Sequence, residues 1–287
     1  MSDAYSRAEQ VARNYYNSTD ADTFYSQVWG GEDIHIGLYS SDQEPIFDAS
    51  RRTVTHLGDL MEELGPQQRM LDLGAGYGGS ARYFASTFGC SVVALNLSEV
   101  ENARNREINR AHRLDSLIHV VDASYEHIPS EHGAFDVVYS QDAFLHSGNR
   151  PRVIREIARV LKPGGRLIFT DPMKTDRCPD AVLQPILDRL HLETLGSPAF
   201  YRQQCAANGL QEIGFEDHSQ HLSLHYARVL EETWVKEPQL RKSVSEAYLE
   251  GMKKGLTHWV EGGRKGYLTW GIFRFQKPSE GSLNFQI

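Results

Sequence analysis

The sequence has little cysteine, no long apolar run, no basic excess and no internal repeat. Cys90, Cys178 and Cys205 are the three cysteines in 287 residues, and they lie far apart. An odd, scattered set excludes a disulfide framework and a cysteine-built zinc site. No apolar stretch approaches the ~20 residues that a membrane-spanning helix needs. Thirty basic residues stand against 38 acidic ones, giving a net charge of −8 and a pI near 5.8. That balance argues against nucleic acid or an anionic membrane as the main partner. Met1-Ser2-Asp3-Ala4-Tyr5 has neither the basic nor the apolar region of a signal peptide. The expected setting is the reduced cytoplasm, with an organelle left open. What is present is ordinary globular material, 40% apolar and 24% charged. It suffices for one large domain with a substantial core.

Residues 1–48 are polar and aromatic, with Tyr5, Tyr15, Tyr16, Phe24, Tyr25, Trp29 and Tyr39 crowded together. They read as an N-terminal lid segment of short helices, ahead of a main domain over 49–287. In 49–64, Val54, Leu57, Leu60, Met61 and Leu64 fall at helical spacing, and Gly65-Pro66 stops the helix. Five short apolar runs follow, at 69–73, 91–97, 117–121, 135–139 and 166–170. Helical patterns at 79–88, 99–112 and 150–161 lie between them. The alternation predicts an α/β fold with a doubly wound, mostly parallel sheet. Beyond 171, the stretches 181–192 and 198–208 read as helices. Stretches 211–217 and 267–276 read as the sixth and seventh strands. A helical block over about 221–262, broken at Pro238, reads as an insertion. With 1–48 it is expected above the carboxyl ends of the strands, where ligands of parallel sheets bind.

Leu71-Asp72-Leu73-Gly74-Ala75-Gly76-Tyr77-Gly78-Gly79 follows the first strand and opens a helix. Glycines there permit a tight turn and a close backbone approach to a ligand, and the run satisfies G-x-G-x-x-G. A plain glycine turn would need no ligand. Context separates the nucleotide readings. The second strand ends at Asn96, not at the acidic residue that a nicotinamide ribose favours. Asp72, two residues before the first glycine, would repel a pyrophosphate and suits an ammonium group. S-adenosylmethionine has an ammonium, a cationic sulfonium and no phosphate, so Coulomb's law favours it.

These residues resemble the class I S-adenosylmethionine-dependent methyltransferases, a Rossmann-like family. Asp72-Leu73-Gly74-Ala75-Gly76 looks like their first motif. Asn96-Leu97 stands at the ribose position, which is usually acidic. Asp122-Ala123 looks like the adenine-contacting pair, Phe135–Ser140 like the fourth-strand motif, and Leu161-Lys162-Pro163-Gly164-Gly165 like the turn before strand five. A closer resemblance covers most of the chain. Phe24-Tyr25 with Val28-Trp29-Gly30-Gly31-Glu32-Asp33-Ile34-His35-Ile36-Gly37 looks like the opening segment of small-amine N-methyltransferases. Gln141–Ser147, Thr170-Asp171-Pro172-Met173 and His258–Arg264 point the same way. The combination is similar to sarcosine/dimethylglycine N-methyltransferases; the phosphoethanolamine methyltransferases share Asp-Ala-x-Leu-His and are more distant. The resemblance implies S-adenosylmethionine as co-substrate, no metal, and N-methylation of sarcosine and dimethylglycine, ending in glycine betaine. Another small amine such as phosphoethanolamine, a tocopherol-like phenol, and a non-catalytic binding protein are the alternatives.

The resemblance also assigns roles. His146 follows the fourth strand, either as a packing or capping histidine or as a base or orienting group for the amine, since a protonated amine has no lone pair to attack with. In the phosphoethanolamine enzymes the matching histidine belongs to a catalytic dyad. Tyr25 and Trp29 are ordinary core aromatics or a wall around the reacting nitrogen, with Tyr15 and Tyr16 as runners-up. Pro172 and Met173 are expected to shape the substrate pocket. Gln141 is expected to reach the cofactor and Asp142 to orient the amine. Arg177, Arg202 and Arg264 are candidates for the substrate carboxylate, though each also reads as a surface charge. His218, His221 and His225 offer i, i+3, i+7 spacing, but without an H-E-x-x-H motif they read as a histidine face rather than a metal site.

Overall fold

The computed structural model describes residues 5–29, 31–61, 64–179, 181–190 and 192–279. Gly30 of the opening motif, residues 1–4 of the N-terminal segment, 62–63 of the first expected core helix and His191 of the 181–192 helix lie outside the described residues. The elements in chain order begin with α1 (Arg7–Tyr16), α2 (Thr19–Val28) and α3 (Ile46–Asp59). Then come β1 (Arg69–Leu73), α4 (Gly79–Phe88), β2 (Ser91–Asn96), α5 (Glu99–Ala111), β3 (Ile118–Asp122), β4 (Phe135–Gln141), α6 (Arg150–Val160) and β5 (Leu161–Thr170). The last third holds β6 (Met173–Lys174), α7 (Gln184–Leu190), α8 (Pro198–Ala207), β7 (Gln211–Asp217), α9 (Ser219–Leu240), α10 (Glu246–Arg264), β8 (Leu268–Thr269) and β9 (Gly271–Gln276).

Seven strands form one sheet in the order β3-β2-β1-β4-β5-β9-β7. The first five are parallel, and β9 runs antiparallel to both neighbours. The order reverses between β1 and β4, so their carboxyl ends open a crevice there. Central strands are buried on both faces, which is why they read as continuous apolar runs. On one face Val153, Ile154 and Ile157 of α6 meet Phe169 and Phe273; on the other Val54 and Leu57 of α3 meet Phe84 and Ile168. The chain starts α6 cleanly because the Asn149 side chain accepts from the Arg152 N–H and Pro151 sits in the first turn.

The N-terminal helices and the late helical block form one cap. Phe24, Val28 and Trp29 pack against Val229, Leu240, Leu249 and Met252 of α9 and α10. The block runs 219–264, slightly longer than expected, and Pro238 lies in the last turn of α9 instead of breaking it midway. The chain turns at 241–245, and the Ser245 side chain caps α10 by accepting from the Tyr248 N–H. The final strand differs more. Residues 268–269 pair with β6 and 271–276 with β5, so the expected strand is split at Trp270. α3 starts at Ile46, ahead of the expected 49, directly after Pro45. No helix among the described residues is long and apolar enough to cross a membrane.

Candidate active site

The glycine loop bends back over β2, with the Gly74 and Ala75 N–H groups both donating to Leu95 O. Gly74 has φ +76°, and a Cβ there would collide with that of Ala143. Gly78 has φ +78°, and its Cβ would collide with the Asn105 side chain. Only glycine meets both demands. The cavity above the loop encloses ≈ 940 Å³, part of it open to solvent. Asp72, Gly74, Ala75, Gly76, Asn96, Leu97 and Gln141 line it. Asp122 and Ala123 do not. Asp122 is exposed and accepts from Asn102 Nδ2 at 2.8 Å and from Arg106; Ser124, Tyr125 and Glu126 take the wall position instead.

The cavity is acidic. Glu9, Glu32, Asp72, Glu101, Glu126 and Asp142 line it, against the single guanidinium of Arg13. Asp72 Oδ2 is buried without a hydrogen-bond partner among the described residues. Burial, with the charge of Asp33 behind it, pushes that carboxyl up to about 7. Burial likewise pushes Glu101 up to about 7, although Asn96 Nδ2 donates to its Oε2 at 2.8 Å. Two under-neutralised carboxylates beside a backbone cradle fit a cationic ligand and disfavour a phosphate. Glu101 restores the carboxylate that β2 lacks at Asn96. The spacing Ser98-x-x-Glu101 reads in the sequence as a helix cap, and Ser98 does accept from the Glu101 N–H at 3.2 Å. The glutamate side chain turns to Asn96 instead of back to the cap, which no sequence pattern reveals.

A second chamber of ≈ 600 Å³ adjoins the first and shares Tyr16, Ile34, His35, Asp142 and His146 with it. Tyr25, Trp29, Tyr226 and Trp259 line it, with the Tyr25 and Trp29 rings 4.9 Å apart. At the junction, Asp142 has φ +49° and its N–H donates to Thr170 O at 3.0 Å. Its Oδ2 accepts from the Ile36 N–H at 2.7 Å, and its Oδ1 from Thr170 Oγ1 at 2.7 Å and Trp270 Nε1 at 2.8 Å. Asp142 thus orients the chamber's walls as well as facing its contents. His146 ends a short 3₁₀ turn, with Nε2 2.8 Å from the Tyr16 hydroxyl. Burial first, then the positive Arg150 and Arg189, holds it down to about 4, so its ring is neutral at pH 7. Gln141 is clamped by the Ser80 and Tyr139 hydroxyls and lies 3.2 Å from His35 Nδ1.

Pro172 and Met173 are buried past β5 but do not line either chamber; Met173 pairs with Thr269 and joins the core. The carboxylate candidates also lie elsewhere. Arg177 and Arg264 are exposed, and Arg202 binds Glu212 at 2.8 Å while covering the Phe215 ring. His221 and His225 face inward, where their Nδ1 atoms accept from the Tyr39 and Gly37 N–H groups. Among the described residues, His56, Glu216 and His218 form a group spaced to hold a metal ion, at the β7 edge and outside both chambers.

Residues 71–169 match the methyltransferase-domain family. A sarcosine/dimethylglycine N-methyltransferase from Halorhodospira halochloris is 59% identical over 94% of this chain and 97% of its own. A glycine/sarcosine/dimethylglycine N-methyltransferase from Actinopolyspora halophila is 56% identical over 94% of this chain, which spans 48% of that longer protein. A crystal structure assigned as a sarcosine dimethylglycine methyltransferase from Galdieria sulphuraria superposes with a TM-score of 0.88 at 43% identity, covering 92% of this chain and 99% of that one. The chain belongs to the sarcosine/dimethylglycine N-methyltransferase family.

The methyltransferase carries an electrostatic cost that a titration can read. The folded value of Asp72, about 7, lies above its ordinary 3.8. The folded state therefore holds an extra proton between those values, and that contribution is lost as pH rises through 7. Asp72→Asn should stabilise the ligand-free enzyme at pH 8 by ~2–4 kcal/mol and hardly at all at pH 4. Thermal melts across pH 4–8 measure this; parallel curves for the two proteins would contradict it.

Proposed function

We infer that this enzyme transfers a methyl group to the nitrogen of sarcosine and dimethylglycine, ending in glycine betaine. One observation carries the reading: an acidic cradle opens into an aromatic chamber, and Tyr16, Asp142 and His146 stand where the two meet. S-adenosylmethionine, when bound, supplies a methyl group on a cationic sulfur. In the cradle Asp72 takes the ammonium, Gly74–Gly76 offer backbone, and Asn96 with Glu101 takes the ribose hydroxyls, flanked by Leu97. Tyr125 replaces the expected Asp122-Ala123 pair at the adenine. In the chamber the faces of Tyr25 and Trp29 favour a nitrogen that becomes a permanent cation, each well-placed ring being worth ~0.5–2 kcal/mol. The cap of α1, α2, α9 and α10 acts as a lid and keeps water from the reacting atoms. Pro172 and Met173 act from behind the wall, through the strand that carries Thr170.

Of the two roles open to His146 at the amine, orientation fits better than general base. A group held near 4 is too weak a base to capture the proton of an aliphatic ammonium. The amine loses its proton to solvent before attack, and the neutral ring, fixed by the Tyr16 hydroxyl, instead packs beside the free amine and orients it. Activity should then rise with pH through the alkaline range because the amine titrates, with no break at the histidine. His146→Ala should lose ~10²-fold in kcat while cofactor affinity survives. Normal turnover by the folded variant would return His146 to packing.

Cofactor affinity should depend on Asp72 being charged. The dissociation constant for S-adenosylmethionine should tighten as pH rises from 6 to 8, approaching ~10-fold per unit below 7 and levelling above it. Calorimetry decides; an affinity flat in pH would exclude Asp72 as the ammonium partner.

Glycine should be a poor acceptor, since the Halorhodospira and Galdieria relatives are named for sarcosine and dimethylglycine and each missing methyl forfeits ~1–3 kcal/mol of contact. The Actinopolyspora relative has glycine in its name, but about half of that protein lies outside the part matched here. Specificity constants measured on glycine, sarcosine and dimethylglycine test this, and equal values for glycine and dimethylglycine would refute it.

A further inference from the structure

The aromatic chamber holds hydrogen-bond donors with nothing to donate to. Arg189, in the last turn of α7, reaches the chamber wall. Its guanidinium donates to Met252 Sδ at 2.8 Å, and it pairs with no carboxylate among the described residues. A thioether is a weak acceptor for a strong cationic donor. The side chain lies in a slot over Gly255 of α10: a Cβ there would collide with Arg189 Cδ and Nε and approach Cζ to 2.7 Å. Gly255 therefore seats the guanidinium where a larger residue would expel it.

Two further donors line the same chamber. Trp29 Nε1 is buried with no hydrogen-bond partner among the described residues. His225 is fully buried, and its Nδ1 accepts from the Gly37 N–H at 3.3 Å with the Tyr39 hydroxyl at 3.0 Å. An Nδ1 that accepts leaves the ring proton on Nε2, and Nε2 has no partner among the described residues either. One cation and two orphaned N–H groups in one enclosed space ask for an anion, and a planar carboxylate matches a guanidinium fork. Aromatic faces alone recognise only the amine half of an amino acid.

We propose that Arg189, with Trp29 Nε1–H and His225 Nε2–H, binds the carboxylate of the acceptor and so sets which end of it faces the methyl donor. The assignment rests on the amino-acid N-methylation proposed above and names its missing anion partner. It replaces Arg177, Arg202 and Arg264, none of which reaches either chamber.

The test compares dimethylglycine with N,N-dimethylglycinamide, a neutral analogue of the same shape, on the full-length enzyme. Arg189→Gln should raise KM for dimethylglycine ~10²-fold or more, leave KM for the amide within about threefold, and keep the dissociation constant of S-adenosylmethionine unchanged. Arg189→Lys should recover part of the loss, because it restores charge without the fork. Gly255→Ala keeps Arg189 but crowds its seat, so it should raise KM for dimethylglycine alone while helix propensity favours its folding. This variant carries the test if Arg189→Gln fails to bind S-adenosylmethionine. Trp29→Phe, which keeps a ring and removes the donor, should raise the same KM ~10-fold. A parent enzyme that methylates neither sarcosine nor dimethylglycine would overturn the functional reading and this assignment with it. A parent that does, paired with an Arg189→Gln variant of unchanged KM and intact cofactor affinity, would overturn this assignment alone.

Discussion

The site depends on one carboxylate. Asp142 stands just past β4, at the point where the strand order reverses, and three elements donate to it. The Ile36 N–H comes from the segment after α2, Thr170 Oγ1 from the end of β5, and Trp270 Nε1 from the break before β9. A carboxylate placed there without those donors would suffer the full cost of burial. With them, it fixes the distance between cap and sheet. The split of the last strand has the same origin, because Trp270 leaves the pairing to deliver its indole, and it is itself fully buried.

Around that point the enzyme keeps two environments apart. The cradle concentrates negative charge, with Asp72 and Glu101 both pushed up to about 7. The chamber beyond is aromatic, and two of its three imidazoles, His146 and His225, are held down to about 4 and about 3, by burial first. A carboxylate beside the methyl donor's ammonium anchors it. The Asp142 carboxylate at the chamber's edge already accepts from three donors, and the remaining wall offers the acceptor nitrogen ring faces that favour a permanent cation. Stability given up in the cradle is recovered when a cation binds, since ligand binding adds to folding free energy.

Much of this was legible in the residues. The alternation from 69 to 171 fixed five parallel strands because buried strands must be apolar and connecting helices amphipathic. The glycine loop and Asp72 announced a cationic ligand through charge alone. The differences share a cause. Asp122 and Ala123 were placed by family pattern, one residue short of the wall. Pro172 and Met173 turned away into the small β6–β8 ladder. Arg189, His225 and Glu101 were missed because the roles proposed for them rest on what stands opposite: for Arg189 its slot over Gly255, for His225 its accepting Nδ1, and for Glu101 the Asn96 amide. Contacts between distant elements leave no local period or spacing to read.

The most direct test is hydrogen exchange of Asp142→Ala, with methyl transfer to dimethylglycine followed on the same preparation. The account predicts that the amide of Ile36, and with it the segment 33–39, loses protection, while β1, β4 and β5 keep theirs and turnover collapses. An Asp142→Ala enzyme that protects Ile36 as the parent does, and still methylates dimethylglycine at the parent's rate, would contradict it.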